Sequence, residues 1–404
     1  MSEKTKKKRK HLLYFTLPHG SDIWLHAGML ALMLFGLVMV GSASMGLAVT
    51  NPRYLIISIV KQAIFVIGGY FGMTFLANRF TLDFLKGSKI SSLIILTVLA
   101  LFACLAFPEV DGARAWLRAS IGGTQITLQP AEFAKIVSIL IVAAYTGDIS
   151  KRFEKNYSLW IKPAVFILFF VFIVLVIQSD FGSAMVIFLI SCVCVLVPNN
   201  PQLRRFQMTL KVLFWLVLSA LVFILSPYGE PLIENMSFLK DYQKKRFLTA
   251  VDPFSDKYGY GYHVVNGLIG FATGGWFGLG FGNSIRKYTD FPAANTDFIL
   301  AILVEELGFV GFMVLLFIYG LVIFRLFRNA LKIRSERARV ILVGTAAYLL
   351  IHMVFNVGGV TGLLPLTGIP LLMISAGGSS TLSFMMAVGL SQAVISAFRR
   401  GEIE

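Results

Sequence analysis

Asp252 and Asp256 stand four residues apart in VDPFSDKYGYGYH, residues 251–263, with glycines at 259 and 261. Residues 228–295 around them also hold Lys240, Lys244, Lys245, Arg246, Lys257, Arg286 and Lys287. Such a cationic surface suits a substrate bearing phosphate groups, although contact with lipid headgroups accounts equally well for any single lysine. Further ionisable residues stand where they are expensive. At the centre of an apolar helix each costs roughly 2.5–3.5 kcal/mol, so it marks either function or a structural pair. In DGARAWLRASIGGTQITLQPAEFAKI, residues 111–136, Pro130 is well placed to open a helix. Glu132 and Lys135 are then three apart on one helix face and able to pair. Trp116 reads as an interface anchor. Asp180, in QSDFGSA, lies between two short apolar runs and must face protein or water rather than lipid. Glu305 and Glu306 are expected to satisfy partners inside a helical bundle. The glycines of GLIGFATGGWFGLGFGN permit turns but lack the strand–helix setting of a nucleotide-binding loop.

What must position these residues is a chain made mostly of apolar segments. Of 404 residues, 57% are hydrophobic, 14% are charged and 36 are phenylalanine. That balance excludes an ordinary soluble domain and points to an all-α polytopic membrane protein. Ten spans are expected, at 23–45, 54–77, 89–107, 129–147, 161–178, 181–198, 210–227, 296–324, 338–358 and 370–397. The first is long enough to cross a bilayer and lacks a cleavage signature, so it reads as a retained helix. Lysine and arginine concentrate at Lys4 to Lys10, Arg79, Lys86, Lys89, Lys151, Arg152, Lys155, Arg204, Arg205, Arg325 to Arg339, Arg399 and Arg400. The opposite short loops hold Arg53, Arg114 and Arg118. This bias predicts cytoplasmic termini and an outer loop over about 228–295, between the seventh and eighth helices. The domain reading is a basic cytoplasmic tail over 1–22, one transmembrane domain over 23–398 and a cytoplasmic end over 399–404. The net charge of +15 thus reports topology and not nucleic acid. Cys104, Cys192 and Cys194 lie in apolar runs without metal or disulfide spacing and read as small buried hydrophobes.

With these clusters in order, the chain resembles the SEDS family (shape, elongation, division and sporulation), the FtsW/RodA-like proteins of bacterial cell-wall synthesis. GARAWL at 112–117 and QPAEFAK at 129–135 look like the family's first signature, and QSDFGSA at 178–184 resembles its Q-P-D-x-G-T-A motif. DPFSDKYGYGYH and GLGFGNSIRKYTDFPAANTDFILAILVEELGF resemble the large outer loop and the helix after it. NVGGVTGLLPLTGIPLLMISAGGSS at 356–380 looks like the C-terminal signature. There are departures. Ala293 and Asn295 replace a Glu and a His that are common in the family, and no chemistry is assigned to them. Ser179 replaces a usual proline, His263 a glutamine and Ala376 an aromatic residue. The resemblance implies a peptidoglycan glycosyltransferase of the bacterial cytoplasmic membrane. Its substrate would be lipid II, a disaccharide-pentapeptide on undecaprenyl pyrophosphate, polymerised for division or elongation. The implied partners are a class B penicillin-binding protein that cross-links the glycan and other division or elongation proteins. The family's essential loop aspartate falls on Asp256.

The chemistry follows from the reaction. A sugar hydroxyl is a poor nucleophile near neutral pH, so a carboxylate acting as general base is expected, with Asp256 in that role. One direct displacement inverts the donor's α-linkage to β. Negative charge growing on the leaving pyrophosphate calls for cationic donors, and the candidates are Arg114, Lys135, Lys245, Arg246, Arg286 and Lys287. A divalent cation, Mg2+ or Mn2+, is the alternative way to offset that charge, with Asp252 and Asp297 available beside Asp256. Glu132, Asp180, Asp252 and Asp297 are expected in supporting roles, and Asp252 also suits the capping of a turn. Competing readings are a flippase or other transporter of lipid-linked precursors and a non-catalytic scaffold of the division machinery. A transporter would gather its unusual residues at the midplane in two similar halves. Here no halves match, and the richest cluster lies in the outer loop.

Overall fold

The computed structural model describes residues 15–109, 112–121, 124–147, 159–236, 241–289, 291 and 293–404. Lys4 to Lys10, Asp111, Lys151, Arg152, Lys155, Lys240 and Pro292 lie outside the described residues.

The helices are α1 (Ile23–Ala48), α2 (Pro52–Arg79), α3 (Ser88–Ala103), α4 (Pro130–Thr146), α5 (Ile161–Phe172), α6 (Phe181–Val195) and α7 (Arg204–Ile224). They continue with the shorter α8 (Glu230–Asn235), α9 (Asp241–Val251) and α10 (Tyr262–Gly274), then α11 (Ile299–Lys332), α12 (Glu336–Val360) and α13 (Gly378–Arg399). Seven of them, α1, α2, α3, α7, α11, α12 and α13, are long and apolar enough to cross a membrane. α5, prolonged by a π-helical turn over Ile173–Ile177, and α6 are shorter apolar helices. The chain is a multi-pass helical membrane protein.

Sequence signals explain the helix ends. Asp22, Asn51 and Asp180 cap α1, α2 and α6 by accepting N–H groups of Leu25, Arg53 and Ser183, and prolines open α2 and α4. α12 packs against α4, α6, α11 and α13, α13 also runs along α2, and α1 lies against α2 and α11. At one end Asp22 is buried and receives Arg325 at 2.6 Å, Asn329 at 2.8 Å and Arg399 at 3.1 Å. It thereby ties together the ends of α1, α11 and α13.

Four features differ from the sequence reading. Two strands, β1 (Leu117–Ile121) and β2 (Thr124–Leu128), pair antiparallel, because alternating Leu117, Ala119, Ile126 and Leu128 suit a half-buried ribbon. The seventh helix begins at Arg204 instead of 210. The last begins at Gly378 instead of 370, because Met373 has φ 68° and the Ser375 hydroxyl accepts the Leu371 N–H at 2.9 Å. Residues 361–377 are therefore non-helical chain, partly exposed over 361–368 and buried at Ile369 and from Leu371 to Ser375. The fourth difference lies in the stretch read as an outer loop. Much of it is helical, and residues 275–280 pair with α11 where that helix breaks at Gly308 (φ 66°, ψ −171°). Phe309 and Val310 donate N–H groups to Gly275 and Trp276, while Leu279 and Gly280 donate theirs to Glu305 and Glu306. Each broken segment satisfies the other's backbone, which an apolar medium requires.

Candidate active site

Asp256 is exposed in the turn between α9 and α10. Its Oδ2 accepts the Tyr260 N–H at 3.0 Å, and its carbonyl accepts N–H groups of Gly259 and Gly261. Backbone contact requires glycine at 261, while glycine at 259 leaves room for the carboxylate. A Cβ on Gly259 would lie 2.4 and 2.5 Å from the two carboxylate oxygens, and one on Gly261 would lie 2.1 Å from the Pro253 carbonyl. Oδ1 has no hydrogen-bond partner among the described residues, so one carboxylate oxygen remains available to accept a proton. Asp252 instead caps the turn, accepting the Phe254 N–H at 2.9 Å.

Of the candidate cations, Lys245 stands at this turn and the others hold separate partners. Lys245 lies over the Tyr260 ring at 4.7 Å, and Arg246 donates to the Leu366 carbonyl at 3.2 Å. His263 stacks on Phe298, and burial together with the Arg246 guanidinium holds its imidazole below the ordinary histidine range. Arg114 is half-exposed, 3.8 Å from Glu109, and its N–H donates to the Gln178 carbonyl. Arg286 is mostly buried, donating to Asn266 at 3.0 Å and lying 3.8 Å from Glu305.

Residues 356–380 join the separate motifs. Asn356 donates to the carbonyls of Asp297 and Ile369, Ser375 to that of Thr296, and the Ala376 N–H to that of Asn295. Arg246 reaches Leu366, and a Cβ on Gly182 would lie 2.7 Å from the Thr367 carbonyl, so α6 starts directly against this segment. Ser379 accepts the Gln129 N–H, and the Gln129 side chain donates to Asp180 at 2.6 Å. The start of α4, the start of α6, the start of α11 and Arg246 of α9 thus meet one non-helical stretch of chain.

Two candidate cations lie elsewhere than expected. Lys135 is buried (1% exposed), with its ammonium 2.6 Å from Glu132 and 3.0 Å from His352 Nε2. An ammonium only donates, so Nε2 accepts, and His352 Nδ1–H donates to the Pro370 carbonyl at 3.1 Å. Tyr348 donates to the other Glu132 oxygen at 2.6 Å and meets Ser383 at 2.8 Å. Lys287, also buried, pairs with Glu306 at 2.8 Å while Ser42 of α1 donates to the same carboxylate at 2.7 Å. Glu305 receives Ser284, Thr273 and the Arg286 N–H. Both lysines were read as contacts for a leaving pyrophosphate. Their charges are spent on buried carboxylates because an unpaired carboxylate there would be far costlier. Sequence reading missed His352, Tyr348, Ser383 and Ser42. The signal for the first two was a His and a Tyr four apart in an apolar span.

The carboxylates do not assemble a cation cage. Among the described residues no three His, Cys, Asp or Glu side chains gather to hold a metal ion, so Asp252, Asp256 and Asp297 form no such set. A Mg2+ or Mn2+ ion at Asp256 would take its other ligands from substrate phosphates and water, which is ordinary behaviour for Mg2+.

The comparisons place this bundle of apolar helices, with its exposed carboxylate turn, in a known class. The profile of the family described as Cell cycle protein, FTSW_RODA_SPOVE, matches residues 23–400. The chain belongs to that family. The probable peptidoglycan glycosyltransferase FtsW of Bacillus subtilis is 33% identical over 368 residues, spanning 88% of this chain and 86% of that protein. Stage V sporulation protein E of the same organism is 30% identical over 365 residues, spanning 89% and 93%. Among solved structures, a chain of a peptidoglycan synthase complex that coordinates polymerization and crosslinking superimposes with TM-score 0.67 at 29% identity, covering 93% of this chain and 98% of that one. The rod shape determining protein RodA of Thermus thermophilus gives TM-score 0.61 at 25% identity, covering 93% and 97%.

Proposed function

We propose that this protein is an inverting peptidoglycan glycosyltransferase that polymerises lipid II at the outer face of the bacterial cytoplasmic membrane. The observation that carries the reading is the meeting of the starts of α4, α6 and α11 with Arg246 of α9 on residues 356–380, while the turn that follows α9 holds the Asp256 carboxylate in the open. Asp256 accepts the proton of the acceptor sugar hydroxyl as that oxygen displaces undecaprenyl pyrophosphate from the donor, inverting α to β in one step. Lys245, Arg246 and Arg114 are the exposed cations available to the leaving pyrophosphate, with Arg286 behind them. Lys135 and Lys287 act at one remove, holding α4 against α12 and the 284–288 segment against α1 and α11. Ten spans with both termini in the cytoplasm put the Asp256 turn on the side where lipid II is polymerised. A class B penicillin-binding protein is the proposed cross-linking partner, alongside other proteins of a division or elongation complex. This extends to the present chain the coordination of polymerization and crosslinking described for a structural relative.

The test is extension of fluorescent lipid II by the purified protein with its partner. Wild type should lengthen glycan, and Asp256→Asn should do so at least ~10²-fold more slowly, the low end for loss of a general base. Membrane insertion and partner association should be unchanged, since an exposed turn carboxylate holds little of the fold. A fully active Asp256→Asn protein would reject the assignment and turn attention to Asp180 and Asp297. An inert wild type that still binds its partner would favour a scaffold.

A further inference from the structure

α7 stands apart from the bundle: its 21 residues include none that is buried. Its foot is nonetheless fixed. The Gln207 side chain donates to the carbonyls of Val195 and Pro198 at 2.9 and 2.7 Å, and Phe206 stacks on Trp160 with ring centroids 4.9 Å apart. Beside this anchored end lies an open surface hollow lined by Pro201, Arg204, Arg205, Gln207, Met208 and Lys211. Three of the six lining residues are cations and none is acidic. Arg204, Met208 and Lys211 follow one helix face at i, i+4 and i+7, which spreads the charge over roughly 10 Å along the axis. None of the three cations has a side-chain hydrogen bond or ion pair among the described residues. Above them the helix exposes Phe214, Trp215, Val217 and Val222. Unpaired cations below an exposed apolar face match a molecule with an anionic head and hydrocarbon tails.

We infer that the foot of α7 binds an anionic phospholipid of the cytoplasmic leaflet, its phosphate between Arg204, Arg205 and Lys211 and its acyl chains along the exposed face of α7. The leaflet rests on the topology proposed above, but binding in detergent micelles has no sidedness and needs no polymerase activity, so the two readings fail separately. The experiment is native mass spectrometry of the detergent-purified full chain titrated with dioleoyl phosphatidylglycerol or, in parallel, dioleoyl phosphatidylcholine. The expected result is preferential retention of phosphatidylglycerol, weakened at least ~10-fold in Arg204→Gln/Arg205→Gln/Lys211→Gln, because cations near a lipid surface each strengthen attraction to anionic headgroups. Lys89→Gln/Lys332→Gln, which removes exposed cations elsewhere, should bind as wild type. All five substituted side chains are exposed, and unchanged elution and thermal unfolding would show intact folding. Equal binding of the two lipids, an unaffected triple variant, or equal loss in the control would overturn the inference. Displacement of phosphatidylglycerol by inorganic pyrophosphate would also overturn it, assigning the hollow to a soluble polyphosphate.

Discussion

Gly259 decides how Asp256 is presented. A methyl at that position would sit 2.4–2.5 Å from both carboxylate oxygens, closer than any real Cβ contact, so the carboxylate would have to swing away from the Tyr260 N–H. Gly259→Ala is therefore expected to lower lipid II polymerisation by at least ~10-fold while leaving membrane insertion intact, since misplacement alone degrades proton transfer. Initial rates on fluorescent lipid II check this, and a wild-type rate would show that the turn does not set the base. Asp252→Asn should be milder, because its amide oxygen still accepts the Phe254 N–H. At this scale the sequence was informative where partners are neighbours. The Asp256–Gly259–Gly261 spacing was visible, as was the Glu132–Lys135 pair. Tyr348 joins Glu132 from 216 residues away and Lys287 joins Ser42 from 245, and no local spacing encodes such distances. The contact of Lys287 with Ser42 was hidden for the same reason.

Elements carry the buried pairs. Removing the Lys135 ammonium leaves Glu132 an uncompensated charge between α4 and α12, at a cost of about 3–5 kcal/mol. Lys135→Ala should lower the yield of folded protein and its thermal midpoint in detergent. Lys86→Ala, which breaks an exposed pair with Asp83, should change neither measurably. Adding Glu132→Gln to Lys135→Ala should recover part of the loss, because the buried charge is then gone. If the two lysine variants behave alike, the buried pair holds nothing. The helices themselves were legible from apolar length and capping residues. The break at Gly308 was not, since one glycine in a 34-residue apolar helix resembles those that helices tolerate. The same holds for residues 370–377, whose apolar composition reads as a helix start until Met373 at φ 68° and the Ser375 hydrogen bond turn the chain.

For the whole molecule, the distribution of lysine and arginine predicts sidedness. A reporter inserted at Ser335 should be active only in the cytoplasm and one within residues 241–289 only outside, as read by a paired alkaline phosphatase and fluorescent protein assay; reversed signals would overturn the ten-span arrangement. What the charge pattern did not convey is that the outer region and the eighth helix are not separate parts. Residues 275–280 donate to and accept from residues 305–310, at roughly 9–16 Å along α11 from its first residue. Neither segment can bury its open backbone groups alone, so the two complete each other or remain unfinished. This bears on how the chain is made. α11 reaches its settled form only together with residues 275–280, synthesised just before it, and the region from α10 to α11 is one cooperative unit of assembly. Expressed as two polypeptides parted between α8 and α9, the protein should reassociate into active material, whereas parting it just before Ile299 should leave both pieces to degradation.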